Sequence, residues 1–321
     1  MDFLANYFGS LNPMSFLSAL PGNIAQGIIW GLMGLGVFLT FKLLNFADLS
    51  VDGSFATGGA VTAVMLINGC PVWATIIVAI LAGLAAGLVT GLLHTLLGIP
   101  DILAGILTQI ALYSINLNIM GKSNLPISYR NYTLVVSASN INMAILVGLG
   151  ICAVVIAAMY WYFGTEQGST IRSTGSNPAM SKAQGININF TKVIALALSN
   201  GLVALSGSLF AQYQGFADIN MGRGAIVIGL AAVIIGEVLG EAIFRKHMNF
   251  IIRMFFVIVG GILYYIAMGI VLWLKMPTDD TKLFTAIIVA IFLAVPYLQK
   301  KRKTSFKKVA KMNAKNAQKE G

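Results

Sequence analysis

The stretch 171-IRSTGSNPAMSKAQGININFTK-192 decides how this chain is read, because it is polar, carries three cations and sits between long apolar runs. Asn177-Pro178 has the form of a helix start: asparagine is a favoured N-cap, and proline is tolerated at the first helical position. Gly185 can take the left-handed conformation that stops a helix, and Ile186 is placed to fold back toward Met180. Lys182 falls in the last turn, where the helix dipole favours a cation. Between cap and stop lie about seven residues, roughly 10 Å of helix. Such a helix is too short to cross a membrane or to persist alone in water, so it must be held against something.

Outside this stretch the composition points to lipid. Of 321 residues, 57% are hydrophobic and only 10% charged, and the mean hydropathy is +0.83. A soluble chain would carry about 25% charged residues, so a water-covered globule is excluded. A bilayer needs roughly 20 apolar residues per helix. On that measure nine candidate spans emerge, at 22–41, 47–68, 72–97, 101–120, 143–163, 191–213, 224–240, 250–274 and 283–298, with eight or ten as the neighbouring counts. The expected architecture is an all-α polytopic membrane protein. An N-terminal segment (1–21) precedes a membrane domain (22–298) with a cytoplasmic loop at 165–190, and a basic tail (299–321) follows.

The net charge of +10 resides largely in that tail: nine of the 21 basic residues lie between Lys300 and Lys319. It reads as a solvated segment near anionic lipid or a docking site, not as a nucleic-acid face. With the N-terminus outside and the C-terminus in the cytoplasm, sixteen cations fall inside and five outside, in keeping with the positive-inside rule. Lys122 and Arg223 are among the outer five. The N-terminus lacks the basic region of a cleavable signal and is expected to be retained. Cys70 and Cys152 give neither metal spacing nor a disulfide framework.

Residues 45–62 are too polar to face lipid. Polar or broken backbone at membrane depth survives where it faces protein or water, so Asn45, Asp48, Asp52, Ser54 and Thr57 are candidates for a translocation path. Asp48 and Asp52, four apart, would share one helical face; a helix-start role at the inner surface is the alternative. Glu237 could pair with Arg245 or Lys246, and His94 reads as structural. Gln212, Gln214 and Asp218, near the outer end of the sixth span, are candidates for an outer gate. Gly83, Gly87 and Gly91, like Gly27 and Gly31, form small-residue faces suited to close helix packing within the bundle.

Gly121-Lys122-Ser123 mimics the end of a phosphate-binding loop, but position 116 is Asn where that motif needs Gly. The energy source is therefore another polypeptide or an ion gradient. Two histidines, two cysteines and no HExxH-like spacing argue against a membrane-embedded enzyme.

The polar loop resembles the cytoplasmic loop of ABC importer permeases of the branched-chain amino acid and sugar type, whose pattern runs R-A-T-G-x-N-P, a short helix, then G-I. Arg172, Thr174, Gly175, Asn177, Pro178 and Gly185 match; Ser176 and Ala179 are uncharged where the family often carries acids. LLNFADLSVDGSFATGGAVTA (43–63) and residues 197–237 are similar to a subgroup linked to tryptophan- and tyrosine-type amino-acid uptake. The resemblance implies a permease subunit without catalysis or metal of its own. Two ATP-binding cassette subunits would hold ATP and magnesium, and a second permease copy and an extracytoplasmic binding protein would complete an importer in a prokaryotic plasma membrane. The loop, with Lys182, would fit a cleft of the ATPase, and the cargo would be a small polar solute: an amino acid, or a sugar or nucleoside. An ion-gradient carrier is the rival class.

Overall fold

The structure is a computed structural model describing residues 13–128, 132, 134–244, 248–274 and parts of 283–294. Among the described residues ten α-helices have continuous ranges: α1 (Pro13–Val37), α2 (Val51–Ile67), α3 (Val72–Thr95), α4 (Asp101–Met120), α5 (Ile141–Phe163), α6 (Glu166–Ser176), α7 (Pro178–Ala183), α8 (Ile188–Gln214), α9 (Ala225–Phe244) and α10 (Phe250–Trp273). A π-helical turn, Phe38–Leu43, extends α1. The all-helical expectation needs one amendment: β1 (Asn124–Pro126) and β2 (Phe216–Asp218) form an antiparallel pair with Leu125 opposite Ala217.

Among the described residues seven helices are long and apolar enough to cross a membrane, and Val51–Ile67 is apolar but shorter. Eight of the nine expected spans thus coincide with helices; the ninth, at 283–298, falls largely outside the described residues, as does the basic tail. The first helix is described from Pro13, inside the segment set apart as N-terminal.

The centre is built by α1, α2 and α8. Trp30 stacks on Phe55 with ring centroids 4.7 Å apart, and Phe210 meets Trp30 edge-on at 5.3 Å. Around them α3, α4 and α5 turn apolar faces outward, through Ile77, Leu81, Ile110, Leu146 and Val154 among others, as lipid-facing helices must. The glycine faces do what their spacing implied. A Cβ at Gly83 or Gly87 would overlap the backbone oxygens of Asn200 and Leu196 on α8, and one at Gly27 or Gly31 would press on Ile262 and Ile258 of α10.

The second span departs from expectation. Residues 44–50 are unwound, with Asn45 at φ +55°, and helix resumes only at Val51. Asp48 is the physical reason. Its carboxylate accepts from the Ser50 amide and hydroxyl, a local pairing that competes with the helical ladder. Asp48 therefore precedes α2 and shares no helical face with Asp52.

Candidate functional site

Two regions carry the polar chemistry: a cavity in the membrane domain and the α6–α7 loop.

The cavity is bounded by the start of α2, by α4 and by the connection from β2 to α9. Its lining includes Asp52, Gln109, Tyr113, Asn116, Asn220 and Arg223, and its volume is about 350 Å³. Arg223 was expected outside and Asp52 near the inner face, yet they line one space. The connection after β2 folds inward along α2: Ile219 still bonds Ser123 beside the β pair, Met221 lies over Gly59, and Gly222 meets the Asp52 carbonyl so closely that a Cβ would overlap it. Helix α9 consequently starts deep in the bundle. Asp52 caps it from outside, its two carboxylate oxygens accepting the Gly224 and Ile226 amides at 2.9 Å each. From Ala225 to Glu237, whose carboxylate meets Lys42 at 2.7 Å, twelve residues of helix span about 18 Å.

Of the five path candidates, Asp52 alone lines this cavity. Asn45 is exposed at its turn. Asp48, 2% exposed, is bonded by the Asn200 amide at 2.7 Å and ties the unwound segment to α8. Ser54 and Thr57 are buried between helices, and Thr57 donates to its own helix at Gly53. Among the outer-gate candidates, Gln212 accepts from the Val135 amide at 3.1 Å and Gln214 is exposed. Asp218 accepts from the Asn220 amide at 2.7 Å and from the Asn124 side chain at 3.3 Å. Glu237 pairs with Lys42 and, at 3.6 Å, Arg253; its expected partners Arg245 and Lys246 lie outside the described residues. His94 is held structurally, between the Ile99 carbonyl and Lys192 at 2.9 Å each.

Sequence reading missed Gln109, Tyr113, Asn116 and Asn220. The available signal was the run of amides and hydroxyls in the second half of α4, TQIALYSINLN, which is unusual for a helix facing lipid alone.

The α6–α7 loop is built as its caps dictate. Thr165 caps α6. Asn177 Oδ1 accepts the Met180 amide at 3.0 Å, with Pro178 at the first helical position. Gly185 adopts φ +82°, its amide reaches the Lys182 carbonyl at 3.0 Å, and the Ile186 amide reaches Ser181 at 3.1 Å. That pair of bonds is a Schellman stop. The inner side of α6 is fixed to the bundle: Ile171 and Thr174 are buried, and a Cβ at Gly175 would overlap the Leu43 carbonyl. The outer side is free: Arg172, Asn177, Pro178 and Lys182 are exposed, and Met180 is 58% exposed. No ion pair among the described residues engages Arg172 or Lys182. The Gly121-Lys122-Ser123 tripeptide follows a helix, with Gly121 as the left-handed C-cap of α4. A phosphate loop instead leads into a helix N-terminus.

The family model for "Branched-chain amino acid transport system / permease component" matches residues 22–296. The chain is 42% identical over 301 residues to the tyrosine transport system permease protein of Clostridioides difficile (strain R20291), covering 93% of this chain and 99% of that protein. It is 27% identical to the D-allose transport system permease protein of Escherichia coli (strain K12), over 80% of this chain and 77% of the relative. In fold it is similar to PsaBC from Streptococcus pneumoniae, solved in complex with Fab, at a TM-score of 0.52 and 16% identity, over 91% of this chain and 94% of that one. A polytopic bundle with a capped polar loop, matched along almost its whole membrane domain, belongs to the branched-chain amino acid transport permease family, the membrane-spanning subunits of ABC importers.

Proposed function

We propose that this permease imports an amino acid across a bacterial plasma membrane, with α7 as the contact through which a separate ATPase drives it. The observation that carries the reading is the two-sidedness of the α6–α7 loop. One side meets the bundle backbone to backbone, at Gly175 and Leu43, and the other offers a capped, exposed helix with unpaired cations. In this reading two ATP-binding cassette subunits hold ATP and magnesium, and their closure pushes α7 of each of two permease copies. An extracytoplasmic binding protein delivers cargo from the opposite side. Nine spans, an outer N-terminus and an inner C-terminus put α7 and the ATPases on one side of the bilayer.

The high identity to a tyrosine permease supports an amino acid, and an aromatic one first. The weaker likeness to a D-allose permease supports a sugar as the second reading. Passage works by alternating access. No bond is made or broken in this chain, and the polar cavity beside Asp52 opens in turn to each side.

The test is coupling in the complete transporter. Arg172→Glu reverses a charge on the exposed side, and Ala183→Pro removes an amide from α7 and clashes with the preceding turn. Both variants should insert into the membrane normally and lose substrate-stimulated ATP hydrolysis. Wild-type coupling in both would refute the lever.

A further inference from the structure

We propose that the cavity between α2, α4 and the β2–α9 connection is a zwitterion site, where a free α-amino acid rests during passage with its carboxylate on Arg223 and its ammonium on Asp52 and Asn116. This rests on the reading of the chain as an amino-acid permease and adds to it a place and a recognition chemistry.

The first observation is Asn116. Its side chain lines the cavity, it is 0% exposed, and neither Nδ2 nor Oδ1 has a hydrogen-bond partner in the protein. Buried amides are almost always bonded, because an unbonded one forfeits its hydration without return. The remainder of its stripe on α4, Ala104, Thr108 and Leu112, is buried and satisfied or apolar. Asn116 is thus the one member of that face whose chemistry the fold leaves unused.

The second observation is charge. Asp52 and Arg223 line the same space, and no ion pair joins them. Arg223 is held by its own backbone, whose amide donates to the Asn220 carbonyl at 3.0 Å, so its guanidinium projects from a fixed turn. The Asp52 carboxylate uses two acceptor positions on α9, and an ionised carboxylate has about four. An anion and a cation that line one cavity without pairing, Asp52 partly buried and Arg223 exposed, match a ligand that carries both charges. A sugar would leave both uncompensated. An inorganic cation would need more carboxylates, and a simple anion would gain nothing from Asp52. Tyr113 adds an aromatic wall beside Ile110. A volume of about 350 Å³ lies at the small end of ligand pockets, roughly 300–1,000 Å³.

The experiment uses the complete transporter in nanodiscs without binding protein. The thermal unfolding midpoint is read with millimolar L-tyrosine and other L-amino acids, tyramine (no carboxylate) and 3-(4-hydroxyphenyl)propionate (no ammonium). Radiolabelled L-amino-acid uptake is measured in parallel in proteoliposomes with binding protein. At least one L-amino acid should raise the midpoint while both truncated analogues leave it unchanged. Arg223→Gln should remove the shift and lower uptake by roughly tenfold or more, the scale of one lost hydrogen bond to a charged group. Asn116→Leu should also remove the shift, yet raise the ligand-free midpoint, because it replaces an unbonded amide by an apolar side chain of similar size. A lower ligand-free midpoint in Asn116→Leu would make Asn116 structural and overturn the site. So would a ligand shift that survives in both variants, or wild-type uptake with no shift for any amino acid. Wild-type proteoliposomes that take up no amino acid would instead defeat the amino-acid reading itself.

Discussion

Asp48 and Asp52 show how two acids one turn apart in sequence can do unrelated work. Asp48 is enclosed and gathers donors from Ser50 and Asn200, so removing it strands the Ser50 amide in a dry place, while the Ser50 hydroxyl and the Asn200 side chain keep acceptors at Asn200 Oδ1 and the Leu196 carbonyl. A group left unsatisfied in that way costs about 1–3 kcal/mol. Asp48→Ala should therefore lower the unfolding midpoint in detergent clearly, while Asn45→Gly, at an exposed left-handed turn, should leave it unchanged or raise it. Equal losses in both would show that the unwound segment is not held by Asp48. The two aspartates were visible in sequence as polar residues in an apolar region. Their different duties were not, because the partners lie 152 and 172 positions away, on Asn200 and Gly224.

At the scale of elements, the loop helix is the part most legible from sequence. Its N-cap, proline and stopping glycine act over a few residues, and local rules suffice for local structure. Gly185→Ala forces an L side chain into a left-handed conformation, at about 1–2 kcal/mol, and should fray the end of α7. Gly175→Ala meets a harder obstacle, the Leu43 carbonyl, and α6 must lift to admit it. The expected order in substrate-stimulated ATP hydrolysis is wild type, then Gly185→Ala, then Gly175→Ala. The reverse order would mean that the backbone contact with Leu43 is dispensable. The glycine stripes of α1 and α3 were equally readable, whereas the inward fold of residues 219–224 was not. Hydropathy measures length and greasiness, and it places a connecting segment at the surface by default. Only the fit of Met221 and Gly222 against α2 brings the exposed Arg223 to the cavity that Asp52 lines.

For the whole molecule, the native cysteines report topology without any engineering. Cys70, partly exposed in the turn between α2 and α3, should react from the outside with a membrane-impermeant maleimide; Cys152, 3% exposed on α5, should not react until the protein is denatured. Labelling of Cys70 only from the cytoplasmic side would invert the bundle and detach α7 from any ATPase. Bilayer-spanning character followed from composition alone, since so few charges cannot cover a soluble surface. The central position of α2 did not: residues 47–68 read as one span of ordinary length, and only the structure shows a helix of 17 residues beginning at Val51. It is short because an unwound segment occupies part of the depth, and it is tolerated because its neighbours satisfy what lipid cannot.

The meeting of Gly175 with Leu43 has a mechanical corollary. Two main chains touching directly leave no swinging methylenes to absorb a displacement, so the joint has almost no backlash. A displacement of α6 would therefore press directly on the π-helical turn, and π turns are among the places where long helices kink. Stiffness at one end and compliance at the other would let a small stroke bend the longest rod in the bundle at a fixed place.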